Sequence, residues 1–117
     1  MREPQKKVKD ILLAIEAIER YQHLSREDYE DNELVQVWFL RHLQIIGEAT
    51  RTLPQDIRDL APEVPWSKII GMRTILVHLY FEIDLDIVWE AVQVDIPNLK
   101  PQIVELLTQL GEVAIDE

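Results

Sequence analysis

The chain has 117 residues, the size of one domain built on one core. With 47% of its residues apolar, it is not a disordered chain. It has no cysteine, which excludes disulfides, thiolate nucleophiles and thiolate metal ligands. A formal net charge of -10 argues against a protein that coats nucleic acid by electrostatics alone. Residues 81–117 hold nine acids and one base, whereas residues 61–80 hold Glu63 against Lys68 and Arg73. The one stretch without an acidic excess therefore lies in the middle of the chain.

Val8, Ile11, Leu12, Ile15 and Ile18 recur at spacings of three and four, which predicts a first helix from near Pro4 to about Tyr21. No signal-peptide core follows the charged start, and no apolar stretch approaches the roughly 20 residues that span a bilayer. The expectation is a cytoplasmic protein without a membrane segment. Ser25, three residues before Asp28, can cap a short helical turn. A long helix is predicted from about Asp31 to Thr50, with Leu34, Val35, Trp38, Phe39, His42, Ile45, Ile46 and Ala49 on its apolar face. Gly47 within it either costs about 1 kcal/mol relative to alanine or permits close approach of another helix. Pro54 ends that helix, and residues 54–60 form one or two turns.

After the stiff connection Ala61-Pro62-Glu63-Val64-Pro65, a helix beginning near Trp66 contains Ile69, Ile70, Met72, Leu76 and Leu79. Asp84 and Asp86 suit the first turn of the next helix, which carries Val88, Trp89, Val92 and Ile96. Asn98 is expected to cap a last helix, with Pro101 near its start, Ile103, Leu106, Leu107 and Leu110 on its stripe, and Gly111 at its end. No alternating run argues for a sheet. The fold class predicted is all-α, an antiparallel helical bundle of four to five main helices plus short helical turns, in a single domain over residues 1–117. Trp38, Trp66 and Trp89 are its expected core or interface anchors.

Common motifs of chemistry are mostly absent. Glycines at 47, 71 and 111 cannot make a phosphate loop, and His23, His42 and His78 share no metal-ligand spacing. Arg73 and His78 stand apart. Histidine exchanges a proton near neutral pH, and arginine offers a fork of donors to a phosphate. Together they suit metal-free RNA cleavage, with His78 promoting attack by the 2′-hydroxyl and Arg73 holding the scissile phosphate. Cap, surface or packing roles remain the alternative for both. On a straight helix five positions give a rotation of about 140° and a rise of about 7.5 Å, so the pair does not share a face. Two copies of the helix across a twofold axis would bring both residue types into one cleft. Gly71, two residues before Arg73, either allows that approach or marks a kink. Tyr80 is a half-buried packing ring or a group that receives a transferred moiety.

The sequence resembles the HEPN superfamily and, within it, the HepT toxin family. The resemblance is carried by Ile45-Ile46-Gly47-Glu48-Ala49, by Val64-Pro65-Trp66, and most strongly by Gly71-Met72-Arg73 followed by His78-Leu79-Tyr80. Ile83-Asp84-Leu85-Asp86-Ile87-Val88-Trp89 and Ile96-Pro97-Asn98-Leu99 add to it. It implies a HEPN-type bundle that forms a homodimer, with a metal-independent ribonuclease site in the cleft between subunits. Arg73 and His78 match the catalytic pair, and the expected substrate is RNA. It also implies the toxin of a type VII toxin–antitoxin pair, whose minimal nucleotidyltransferase antitoxin transfers AMP from ATP onto Tyr80. The family usually has asparagine after the motif arginine. This chain has Thr74, which keeps a polar oxygen and loses the amide donors. Glu48 either orients Arg73 or stabilises the bundle. No metal and no cofactor are implied. The alternative reading is a non-catalytic helical protein that binds and regulates a nucleotidyltransferase, favoured by the acidic C-terminal third and the missing asparagine. Binding of a nucleotide as a plain ligand has no phosphate loop to support it.

Overall fold

The computed structural model describes the backbone of residues 2–77 and 84–116, and the side chains of residues 3–73 and 84–111. In chain order the elements are α1 (Arg2–Glu19), α2 (Arg26–Glu30), α3 (Glu33–Arg51), α4 (Gln55–Arg58), α5 (Trp66–Val77), α6 (Leu85–Glu90), a π-helical turn (Ala91–Asp95) and α7 (Ile96–Asp116). No strand occurs among the described residues, and the all-α bundle read from the sequence is the fold observed. No helix among them is long and apolar enough to cross a membrane.

The periodic stripe of α1 does what its spacing predicts: Val8, Ile11, Ile15 and Ile18 are fully buried. They face α3 on one side and α7 on the other. Polar contacts fix the directions. The Lys7 amine near the start of α1 donates to the Thr52 carbonyl just past α3, and Trp38 Nε1 near the start of α3 donates to the Ala17 carbonyl near the end of α1. These two helices therefore run antiparallel. Lys100 pairs with Glu19 at 2.9 Å, and Gly111 lies beside Gln5, so α7 also runs antiparallel to α1. α5 packs against α3.

The caps are side-chain driven. Ser25 accepts from the Asp28 N–H as expected, Asn32 caps α3 through the Val35 N–H, and Asp84 caps α6 through the N–H groups of Asp86 and Ile87. Tyr29 of α2 is buried, donates to the Leu85 carbonyl at 2.9 Å and packs against Trp89 and Phe39. Burial pushes its phenol up to about 12. Arg26 lies over the Trp89 ring and pairs with Asp86 and Glu30, tying α2 to α6 from the solvent side. The three tryptophans are half-buried and packed against the core.

Two expectations need correction. Residues 85–116 form one uninterrupted helical run, so Asn98 does not cap a new helix, Gly111 does not end it, and Pro101 lies in its interior. Pro97 is absorbed by the π turn. The Ile96 N–H bonds back to the Ala91 carbonyl, five residues earlier. Pro97 has no N–H to offer Val92, whose carbonyl would otherwise be orphaned. Gln22, in the turn after α1, donates to it at 2.8 Å, and Gln93 returns a bond to the Gln22 carbonyl. The second correction concerns α3. Its core face is Val35, Phe39, Leu43, Ile46 and Thr50, and Leu34 is 83% exposed. Trp38, His42, Ile45 and Ala49 form a neighbouring, half-buried stripe. The apolar positions of this helix make two stripes, and the deeper one contains Leu43.

Replacing Gln22 with alanine leaves the Val92 carbonyl without its donor. The expected loss is about 1 kcal/mol of stability, read as a lower midpoint in urea denaturation with unchanged slope. A midpoint equal to the parent's would show that the π turn satisfies itself.

Candidate functional site

The seam between α3 and α5 is set by one glycine. A methyl group built on Gly47 would lie 2.9 Å from the Arg73 backbone nitrogen, 3.1 Å from its Cβ and 3.3 Å from the Ile69 carbonyl oxygen. The two helices thus meet backbone to backbone at this point, and the alternative in which Gly47 permits close approach is the one observed. Ile69 and Met72 are buried on the same side of α5. Gly71 differs: a methyl group there meets nothing within 4 Å among the described residues.

Because Gly47 touches Arg73, its neighbour Glu48 is placed beside the Arg73 side chain. Arg73 Nε lies 3.3 Å from Glu48 Oε2. Arg51, one turn further along α3, grips the same carboxylate with Nη2 at 2.6 Å from Oε1 and Nε at 3.2 Å from Oε2. The three side chains are 44%, 48% and 47% exposed for Arg73, Glu48 and Arg51. They form a two-cation, one-anion cluster at the surface, and its net charge is positive on an acidic chain. The hydrogen bonds from Arg51, aided by the charge of Arg73, hold the Glu48 carboxyl below its ordinary range.

Of the residues singled out in the sequence, Arg73 and Glu48 are brought together. Thr74 lies on α5, with its side chain outside the described residues. His78 and Tyr80 lie outside the described residues altogether. Among the described residues, no group of three or more His, Asp and Glu side chains is arranged to hold a metal ion. Arg51 was not among the sequence candidates, although its spacing of three from Glu48 is a readable signal for a helix-surface ion pair.

Next to Glu48, a groove of about 530 Å³ runs between α1 and α3. Leu13, Ala14, Ile45 and Ala49 form its apolar part, and Lys7, Asp10, His42, Glu48 and Thr52 its polar part. His42 stacks against Trp38, and its Nδ1 lies 2.7 Å from the Trp38 carbonyl oxygen. A carbonyl oxygen only accepts, so Nδ1 is the donor in that contact.

Comparison with known proteins gives a consistent result. The family model described as Ribonuclease HepT-like matches residues 11–106. A "Putative RNase" of Caldanaerobacter subterraneus subsp. tengcongensis is 39% identical over 108 residues, covering 92% of this chain and 96% of that protein. The "Probable ribonuclease HepT" of Thermococcus cleftensis is 40% identical over 94 residues, covering 80% of this chain and 86% of that protein. No solved structure matches the chain.

The Gly47 contact makes a stability prediction. Alanine at this position gains about 1 kcal/mol of helix propensity, but overpacking of a backbone contact costs about 1–3 kcal/mol. Gly47→Ala should therefore lower the thermal midpoint. A raised midpoint would mean that α3 and α5 do not touch here.

Proposed function

The chain belongs to the HepT-like ribonuclease family, and from that premise we propose that it is a metal-independent endoribonuclease acting as the toxin of a toxin–antitoxin pair. The observation that carries this reading is Arg73, half-exposed at the α3–α5 seam and held by backbone contact with Gly47, in a chain whose next motif residues are His78 and Tyr80. That contact sets the main chain and Glu48 orients the guanidinium, so the group is organised before substrate arrives, which is what electrostatic stabilisation of a phosphoryl transition state requires.

In the proposed reaction the Arg73 fork binds the non-bridging oxygens of the scissile phosphodiester. His78, in its neutral form, takes the proton of the neighbouring 2′-hydroxyl. The 2′-oxygen forms a bond to phosphorus, the bond to the 5′-oxygen breaks, and that oxygen takes a proton from solvent. The products are a 2′,3′-cyclic phosphate and a free 5′-hydroxyl. Thr74 follows Arg73 in the chain and keeps a polar oxygen where the family usually has asparagine.

A homodimer completes the site in this reading. Arg73 and His78 are separated by about 140° on a straight helix, and a second copy brings both residue types to one cleft. The half-exposed stripe of α3, with Leu13 of α1 at 53% exposure beside it, offers apolar surface for such an association next to Glu48. Neutralisation is read from the family resemblance. A nucleotidyltransferase antitoxin directs the Tyr80 oxygen onto the α-phosphate of ATP, pyrophosphate leaves, and the tyrosyl-AMP places an anion two residues from His78. That anion competes with RNA for Arg73.

Purified protein should cleave single-stranded RNA equally with and without EDTA. Arg73→Ala and His78→Ala should each lose at least about a hundredfold in rate while remaining folded. Intact mass should rise by AMP increments only with the nucleotidyltransferase and ATP together, and not in Tyr80→Phe. Cleavage abolished by EDTA, or retained by His78→Ala, would contradict the proposal.

A further inference from the structure

Arg51 closes the last turn of α3, and the reaction as written above gives it nothing to do. Its position relative to Arg73 is nonetheless defined. Both Nε atoms converge on Glu48 Oε2, at 3.2 Å from Arg51 and 3.3 Å from Arg73. The two nitrogens can be no farther apart than those two legs laid end to end. The carboxylate, in turn, occupies the space between two guanidinium forks, where an oxyanion of similar size would also fit.

The geometry points to Arg51 as a second phosphate-binding residue, which takes a phosphodiester neighbouring the one held by Arg73. The ligand class is single-stranded RNA, and the inference rests on the reading of Arg73 as the group that grips the scissile phosphate. Three observations carry it. Arg51 directs Nε and Nη2 at Glu48, so of the five donors of its guanidinium several remain to be offered elsewhere. The side chain is 47% exposed on the same surface as Arg73. Both guanidiniums reach one carboxylate oxygen, a separation short enough for the two to meet one strand. Glu48 holds the two cations together and oriented, and its single negative charge leaves the cluster attractive to a polyanion.

A purely structural role for Arg51 has a different signature. A cation in the last turn of a helix is favoured by the helix dipole, and removing that contribution changes the melting temperature without changing RNA affinity. The test is binding of a short fluorescein-labelled 2′-O-methyl oligoribonucleotide, which lacks the attacking hydroxyl, followed by anisotropy across a salt series. Arg51→Gln should weaken binding about tenfold and reduce the log–log salt slope by about 0.7. Arg51→Lys should keep the slope, and it serves as the second variant should the glutamine form fail to fold. The same loss should appear when Arg51→Gln is made in a Glu48→Gln background. Equal affinity of Arg51→Gln and the parent would overturn the inference. So would a defect that vanishes once Glu48 is neutral, because Arg51 would then act only by restraining that carboxylate. Failure of the parent to cut natural RNA would count against the ribonuclease reading, while the anisotropy series still decides the part played by Arg51.

Discussion

The absence of a side chain at Gly47 is the constraint on which the candidate site depends. It lets α3 and α5 meet with backbone atoms in contact, and that contact fixes where the Arg73 main chain sits. Glu48 follows Gly47 in sequence and so is delivered to the Arg73 side chain. Arg51 follows at one further turn and completes the cluster. A single position thus converts helix packing into electrostatic geometry. The core serves the same end: Ile46 and Leu43 of α3 and Ile69 and Met72 of α5 are buried, and close-packed interiors resist small shifts of the helices that carry the cluster.

Much of the bundle could be read from spacing. The stripe of α1 is buried as its period requires, and the caps at Ser25 and Asp84 use side chains whose chemistry announces them. α3 was harder, because Leu34, Trp38, His42, Ile45 and Ala49 keep helical spacing too. Periodicity does not say which of two adjacent apolar stripes goes inside. Asn98 and Pro101 pointed to a break that does not exist. A proline removes one donor, and a five-residue turn with a glutamine from the turn after α1 makes up for it. That compensation is a long-range contact between residues 22 and 92, which no local rule contains.

The site itself was legible in parts for the same reason. Arg73 stands out by its spacing from His78 and Tyr80, and Gly47 by its place in a helix interior. Their meeting is a tertiary fact, as is the sharing of one carboxylate oxygen by two guanidiniums. The pairing of Glu48 with Arg51 is local and could have been read. Its relevance to Arg73 could not, because that depends on how closely α5 approaches.

A crystal structure with uncleavable 2′-O-methyl RNA tests the role of this seam most directly. The expected result is a phosphodiester within hydrogen-bond distance of the Arg73 guanidinium, with the Gly47 contact intact. RNA bound on another face, with Arg73 still closed on Glu48, would contradict it.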